Sequence, residues 1–231
     1  MQANRVFLKN NKLNSIHLPM LNKIASLDLV DFIEKNIIPQ YQDFDKAHST
    51  EHVTRVIRSS LELANVVGAD INMVYVVAAY HDIGMSGPRA VHHITGGKIL
   101  AADARLKRWF SQEQIKIMRE AVEDHRASAA HAPRSIYGRI VAEADRDLDP
   151  EMVFTRAVQF GLSNYPLLDR EGQWKRFVEH MGNKYSVNGY IKLWIPQSDN
   201  AKKLKELRGI IADRQRLRQL FDRIYDEERV E

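Results

Sequence analysis

The segment that most constrains this chain runs from Asp70 to Gly84, DINMVYVVAAYHDIG. Asp70 is placed to cap a helix whose body, Met73 to Ala79, is apolar nearly all round. Such a helix has no face to give to water, so it must be covered on every side. It ends in His81-Asp82, and a carboxylate carried into a core is costly unless a cation meets it. Neutral imidazoles and carboxylates are ligands that divalent transition metals accept, and two adjacent ones on a rigid segment fix much of the geometry. A metal is the expected partner, with further ligands on neighbouring helices.

Those helices are legible from spacing. Apolar residues recur at the helical period in segment after segment, and no alternating run is long enough to demand a strand, so the expected fold is all-α. Leu29, Phe32, Ile33 and Ile37 make a first packing helix closed by Pro39. Ser49 or Thr50 starts a second helix, with Val53, Val56, Ile57, Ala64 and Val67 on one face, His52 in its first turn and Gly68 beyond its end. Ser111 and Gln114 form a capping-box pattern. Ile115, Met118, Val122 and His125 then share a face, as do Tyr137, Val141 and Asp145 in the next helix. Two apolar stripes ending in polar groups suggest one shared site.

Asp149-Pro150 reads as the cap and first residue of another helix, which Gly161 is expected to end. Residues 182–200, with Tyr190, Ile191, Leu193 and Trp194, are poor in helix signals and suit a short hairpin or a lid. From Asn200 to about Glu228 a single long amphipathic helix is expected, with Leu204, Leu207, Ile211, Leu217, Phe221 and Ile224 on its stripe and Arg214 interrupting it. That stripe packs on the domain or, on a sharper reading, supports a homodimer.

Composition narrows the chemistry. The chain has 231 residues, 44% of them hydrophobic, enough for one good core with helical additions. It has no cysteine, which removes disulfides, thiolate metal sites and thiol nucleophiles. The net charge of +4 is scattered rather than gathered into a run. This is weak evidence for a nucleic-acid partner, and a small anionic, phosphorylated substrate suits the bias as well; charge does not separate the two, and nucleic acid is held the less expected partner. No stretch reaches the length of a membrane span, and the start, MQANRVFLKN, lacks the apolar core of a signal peptide. No membrane association and a cytoplasmic location are expected.

In chain order the candidate ligands are His52, His81, Asp82, His92 or His93, His125 and Asp145. This pattern resembles the HD domain superfamily over about residues 48–150. HSTEHVTRV resembles the family's first-histidine helix, AAYHDIGM its defining His-Asp, and IVAEADRDLD its closing aspartate segment. The resemblance implies an all-α HD-domain helical bundle with added N- and C-terminal helices. It also implies a single HD-domain protein over 1–231, with a helical extension from about 150 to 231. By it His52, His81, Asp82 and Asp145 are the core ligands, and Asp82 bridges two ions where two are bound. Asp82 and Asp145 are also the expected catalytic carboxylates, and Glu143 is a candidate to orient a water. The histidines of HHITGGKIL and EDHRAS resemble the extra pair of two-metal subfamilies. The spacing to Gly96, Ile99 and Leu100 favours His92, and His93 serves through Gly97.

The cofactor implied is one or two divalent metal ions, among Mn, Fe, Co, Zn, Ni and Mg, since imidazole with carboxylate does not choose sharply between them. The activity implied is hydrolysis of a phosphate ester in a nucleotide or small phosphorylated metabolite by metal-activated water. Two departures from the family matter. The His-His-Glu and Gly-Tyr-Pro elements of the cyclic dinucleotide branch are missing, and Met85 stands where several branches have lysine. Substrate phosphate then falls to Arg89, Arg126, Arg134 or Arg146. Rival readings are a di-iron oxygenase, which a minority branch with the same ligand order resembles, and a non-catalytic, metal-stabilised regulatory or nucleic-acid-binding module.

Other residues have ordinary readings. His48 lies four before His52 and suits a support or substrate contact as well as a surface role. His131 and His180 read as structural or exposed. Gly96-Gly97-Lys98 is not a phosphate loop, because His92 occupies the required earlier glycine and Ile99 the required Ser or Thr.

Overall fold

The computed structural model describes residues 26–45, 48–129 and 131–229, so the reading of MQANRVFLKN lies outside the described residues. Among these residues there is no strand, and the fold is all-α. No helix is long and apolar enough to cross a membrane. The chain divides into two units, one ending at Asp145 and one starting at Arg146.

The first unit is built around the apolar helix. α1 (Leu27–Asn36) buries Leu29, Phe32 and Ile33 and passes into a 3-10 turn, Ile38–Asp43, with Pro39 in its first turn. α2 (Thr50–Val67) buries Val53, Val56, Ile57, Leu61 and Ala64 and stops at Gly68, whose φ of 71° suits a residue without Cβ. α3 (Ile71–Tyr80) starts where Asp70 Oδ1 accepts from the N–H groups of Asn72 and Met73, at 2.9 and 3.3 Å. Every residue of it from Met73 to Tyr80 is buried. α2, α5 (Gln112–Glu123) and α6 (Ile136–Asp145) pack on it, with α4 (His92–Ala102) at its end. The expected capping box at Ser111 and Gln114 forms, with both bonds present.

Glycines let α4 approach. The turn Ile83–Ser86 lies on α4, and a Cβ on Gly84 would sit against the backbone of His92 and Gly96. A Cβ on Gly97 would lie 2.8 Å from Glu123 Cγ. The glycine pair of α4 thus serves helix packing.

The second unit comprises α7 (Pro150–Asn164), α8 (Arg170–Tyr185), α9 (Asn200–Ala212) and α10 (Arg214–Arg229). Its core gathers Phe154, Trp174, Phe177 and Phe221, with Phe177 and Phe221 rings 5.2 Å apart. Three expectations are corrected here. α7 does not end at Gly161 but continues to Asn164, and Gly161 instead gives its carbonyl to Gln173 Nε2 at 3.1 Å where α8 packs closely. α8 runs to Tyr185, and residues 186–199 form no hairpin; Tyr190 and Ile191 fold back to donate to the carbonyls of Asn183 and Lys184. The long terminal helix is two helices. Asp213 leaves the helical region at ψ 93° and its Oδ1 accepts from Arg216 N at 3.0 Å, which caps α10. The stripe changes phase at that break, so Ile210 rather than Ile211 is buried.

Candidate metal centre

The end of α3 delivers His81 and Asp82 to the middle of the first unit, both almost fully buried. Tyr41 secures this end: its hydroxyl donates to Ala79 O at 2.9 Å and accepts from Asp82 N at 3.2 Å. The Asp82 carboxylate then faces two groups of imidazoles, one at each oxygen. Asp82 Oδ2 lies 3.3 Å from His52 Nε2 and 3.1 Å from His81 Nε2. Asp82 Oδ1 lies 3.3 Å from His92 Nε2 and 3.3 Å from His125 Nε2. Asp145, at the last turn of α6, places Oδ1 3.3 Å from His52 Nε2 and 4.0 Å from His81 Nε2. Two clusters result that could each hold a metal ion, His52–His81–Asp82 and Asp82–His92–His125.

The tautomers test whether a metal fits. His81, His92 and His125 each set Nδ1 against a backbone carbonyl three residues back, on Ala78, Arg89 and Val122, at 2.7–2.8 Å. A carbonyl can only accept, so Nδ1 carries a proton, and in the neutral ring that would ligate an ion Nε2 is the lone pair. His92 Nε2 and His125 Nε2 are nonetheless 3.2 Å apart and both face a carboxylate oxygen. Lone pairs converging without a donor call for a cation, and the donor set fits divalent metals that take nitrogen and oxygen.

The charges agree. Burial works against ionised Asp82, yet His81, His125 and His52 hold its pKa well below the usual carboxylate range. Asp145 is likewise lowered, chiefly by His52, against the effect of burial. Burial opposes protonation of His52, but the Asp145 and Asp82 carboxylates outweigh it and raise its pKa to about 9. The centre attracts positive charge.

The other expected residues fall in several places. His93 shares α4 with His92, its ring centroid 5.6 Å from that of His92, but it belongs to neither cluster. His48 stands beside the centre, its ring 6.1 Å from that of His52 and 6.4 Å from that of His92, with Nδ1 2.7 Å from Asp45 Oδ1. Arg89 is exposed and donates to Asp45 Oδ2 at 3.0 Å. Arg126 donates to Ala90 O at 2.8 Å. Arg134 is engaged with Asp124 and Glu123 instead of facing the clusters. Glu143 is buried in α6, and Arg146 opens the second unit. His131 is exposed, while His180 is half-buried in α8.

Sequence reasoning missed Tyr41, Asp45 and Arg55. Tyr41 and Asp45 lie in or beside a 3-10 turn, where no helical stripe marks them. Arg55 had a usable signal, the three-residue spacing that puts it beside His52 on α2.

These observations define a class of helical proteins in which a His-Asp pair ending a central helix gathers imidazoles from its neighbours. Residues 50–148 match the HD domain family, and this part of the chain is an HD domain. A similar solved structure is that of a predicted HD superfamily hydrolase from an uncultured Thermotogales bacterium. It is 22% identical with a TM-score of 0.44, and the match covers 66% of this chain and 82% of that one. No curated protein matches the chain.

Proposed function

We propose that this protein is a metal-dependent hydrolase of phosphate esters, acting on a nucleotide or another small phosphorylated metabolite. The observation that carries the reading is Asp82, which gives one carboxylate oxygen to each of two imidazole pairs. His52, His81 and Asp145 would hold an ion on one side, and His92 and His125 on the other, with Asp82 shared. Divalent ions there would supply Lewis acidity, lowering the pKa of a water and offsetting phosphoryl charge.

The chain's own groups then bind and orient. Arg89 and Arg126 are assigned to substrate phosphate, and an arriving phosphate would exchange with Asp45 at the Arg89 guanidinium. Asp45 at Nδ1 of His48 orients that ring and leaves its Nε2 to contact substrate. The burial of His81, Asp82, His92 and His125 excludes water from all but the mouth of the centre, which strengthens every charge interaction inside it.

The test is elemental analysis of the purified protein, coupled to phosphate release from a panel of nucleotides and phosphorylated metabolites. The expected result is bound divalent metal and release that chelation abolishes. Asp82→Ala is expected to lose that release while circular dichroism stays unchanged. Two irons per chain with oxygen consumption and no phosphate release would overturn the proposal, as would full activity in Asp82→Ala.

A further inference from the structure

One imidazole of the centre is supported differently from the rest. His81, His92 and His125 each face a backbone carbonyl through Nδ1. His52 does not. Its Nδ1 lies 3.2 Å from Nη2 of Arg55, one turn on along α2. The same guanidinium reaches across to α6, with Nη1 3.3 Å from Ala144 O and Nη2 3.5 Å from Asp145 O.

The chemistry of this contact is one-sided. A guanidinium has five N–H donors and no acceptor. A neutral imidazole that ligates an ion through Nε2 must carry its proton on Nδ1, and here that proton would point at another donor. Elsewhere in this centre the nitrogen behind the ligand meets a carbonyl, the support that metal-bound histidines ordinarily have. Arg55 also sets a fixed positive charge directly behind the imidazole. Whatever its proton count, His52 is therefore a ligand with its support reversed.

We infer that Arg55 is a positioning residue that weakens and tunes ion binding in the half of the centre formed by His52, His81 and Asp82, and leaves the half formed by Asp82, His92 and His125 unaffected. The inference rests on the metal-dependent reading above. In place of a carbonyl that would lock the ion, the chain holds a donor that keeps this half exchangeable, while the bonds of Arg55 to the Ala144 and Asp145 carbonyls keep α2 and α6 in register.

The experiment is isothermal titration of the full-length, metal-stripped protein with Mn(II), repeated with Arg55→Gln, Arg55→Lys and each of these combined with His125→Ala. The last substitution disables the other half, so that only the His52 half is read. Glutamine can accept the Nδ1 proton, so Arg55→Gln is expected to tighten binding in the His52 half by about tenfold, the change corresponding to one hydrogen bond gained in place of an opposed pair. Arg55→Lys, which keeps the donor charge, is expected to stay near the parent. A merely structural role moves the reading the other way: loosening α2 from α6 would weaken binding in Arg55→Gln. Unchanged or weaker binding in that variant, or equal tightening in both halves, would overturn the inference. Failure of the unsubstituted protein to bind Mn(II) or any other divalent ion would overturn the metal-dependent reading itself.

Discussion

Gly84→Ala tests how the backbone behind the centre sets its geometry. The turn Ile83–Ser86 lies on the first turn of α4 so closely that a Cβ on Gly84 would press on His92 O. It would also sit 2.5 Å from Gly96 N and 2.9 Å from His92 C. His92 O and Gly96 N are the pair that an α-helix bonds in its first turn, so the methyl group enters a helical hydrogen bond. These are backbone atoms that no side-chain rotation can clear. To restore 3.4 Å at Gly96 alone, α4 or the turn must retreat by about 0.9 Å. His92 Nε2 sits 3.3 Å from Asp82 Oδ1 and 3.2 Å from His125 Nε2, and metal–ligand distances tolerate only about 0.2 Å. Overpacking of this kind costs about 1–3 kcal/mol, and misplacing a supported ligand costs about 10–100-fold in metal affinity. Urea unfolding should therefore show a lower midpoint, and titration with Mn(II) should show the His92–His125 half weakened first. Gly68→Ala is the control. Its left-handed φ of 71° penalises any side chain, but nothing lies within 4 Å of the new Cβ, so stability falls by about 1 kcal/mol with metal binding intact. A Gly84→Ala protein with an unchanged midpoint and full metal affinity would refute the close-approach argument.

Other expected outcomes follow from the same geometry. His92→Ala should lose one ion per chain by elemental analysis, whereas His93→Ala should lose none, since only His92 faces Asp82 and His125. Arg134→Met should lower the urea-derived stability by about 3 kcal/mol, because Asp124 is fully buried and would be left with an uncompensated charge. A loss under 1 kcal/mol would show that the backbone N–H of residue 134 suffices. For His180, burial first, then Lys184 and Arg176, lower the pKa from 6.5 to about 4. The unfolded chain therefore takes up this proton before the folded one does, and its stabilising contribution, complete above pH 6.5, is lost as pH falls through about 4. His180→Gln should flatten the decline in urea midpoint between pH 7 and pH 4.5, and an unaltered slope would assign that decline to other groups.

How far the centre could be read in advance depended on how each of its side chains is held. Asp145 was legible because it continues an apolar stripe of α6, and a stripe that must face the core carries its last residue inward; His125 keeps the inward direction although α5 ends two residues before it, with its Nδ1 set against Val122 O. His81 and Asp82 were legible because an apolar helix has nowhere to end except inside the molecule. The choice between His92 and His93 was a matter of rotation. Both open α4 and the glycine spacing served either; the structure sets His92 Nε2 3.3 Å from Asp82 Oδ1 and 3.2 Å from His125 Nε2, contacts between segments that no periodicity encodes. The break at Asp213 was hidden for a related reason. Two amphipathic helices in succession give nearly one stripe, and only the side chain of a single aspartate, turned back on Arg216 N, separates them. Arg55 left only its three-residue spacing from His52 and Tyr41 left none, because each acts through hydrogen bonds to backbone or imidazole atoms of other residues. In this centre the imidazoles and carboxylates are placed by hydrophobic pattern and the groups behind them by hydrogen bonds. The first kind of information is repeated along every helix; the second resides in one residue at a time, so a single substitution such as one at Arg55 can retune the centre while the pattern that builds it remains unchanged.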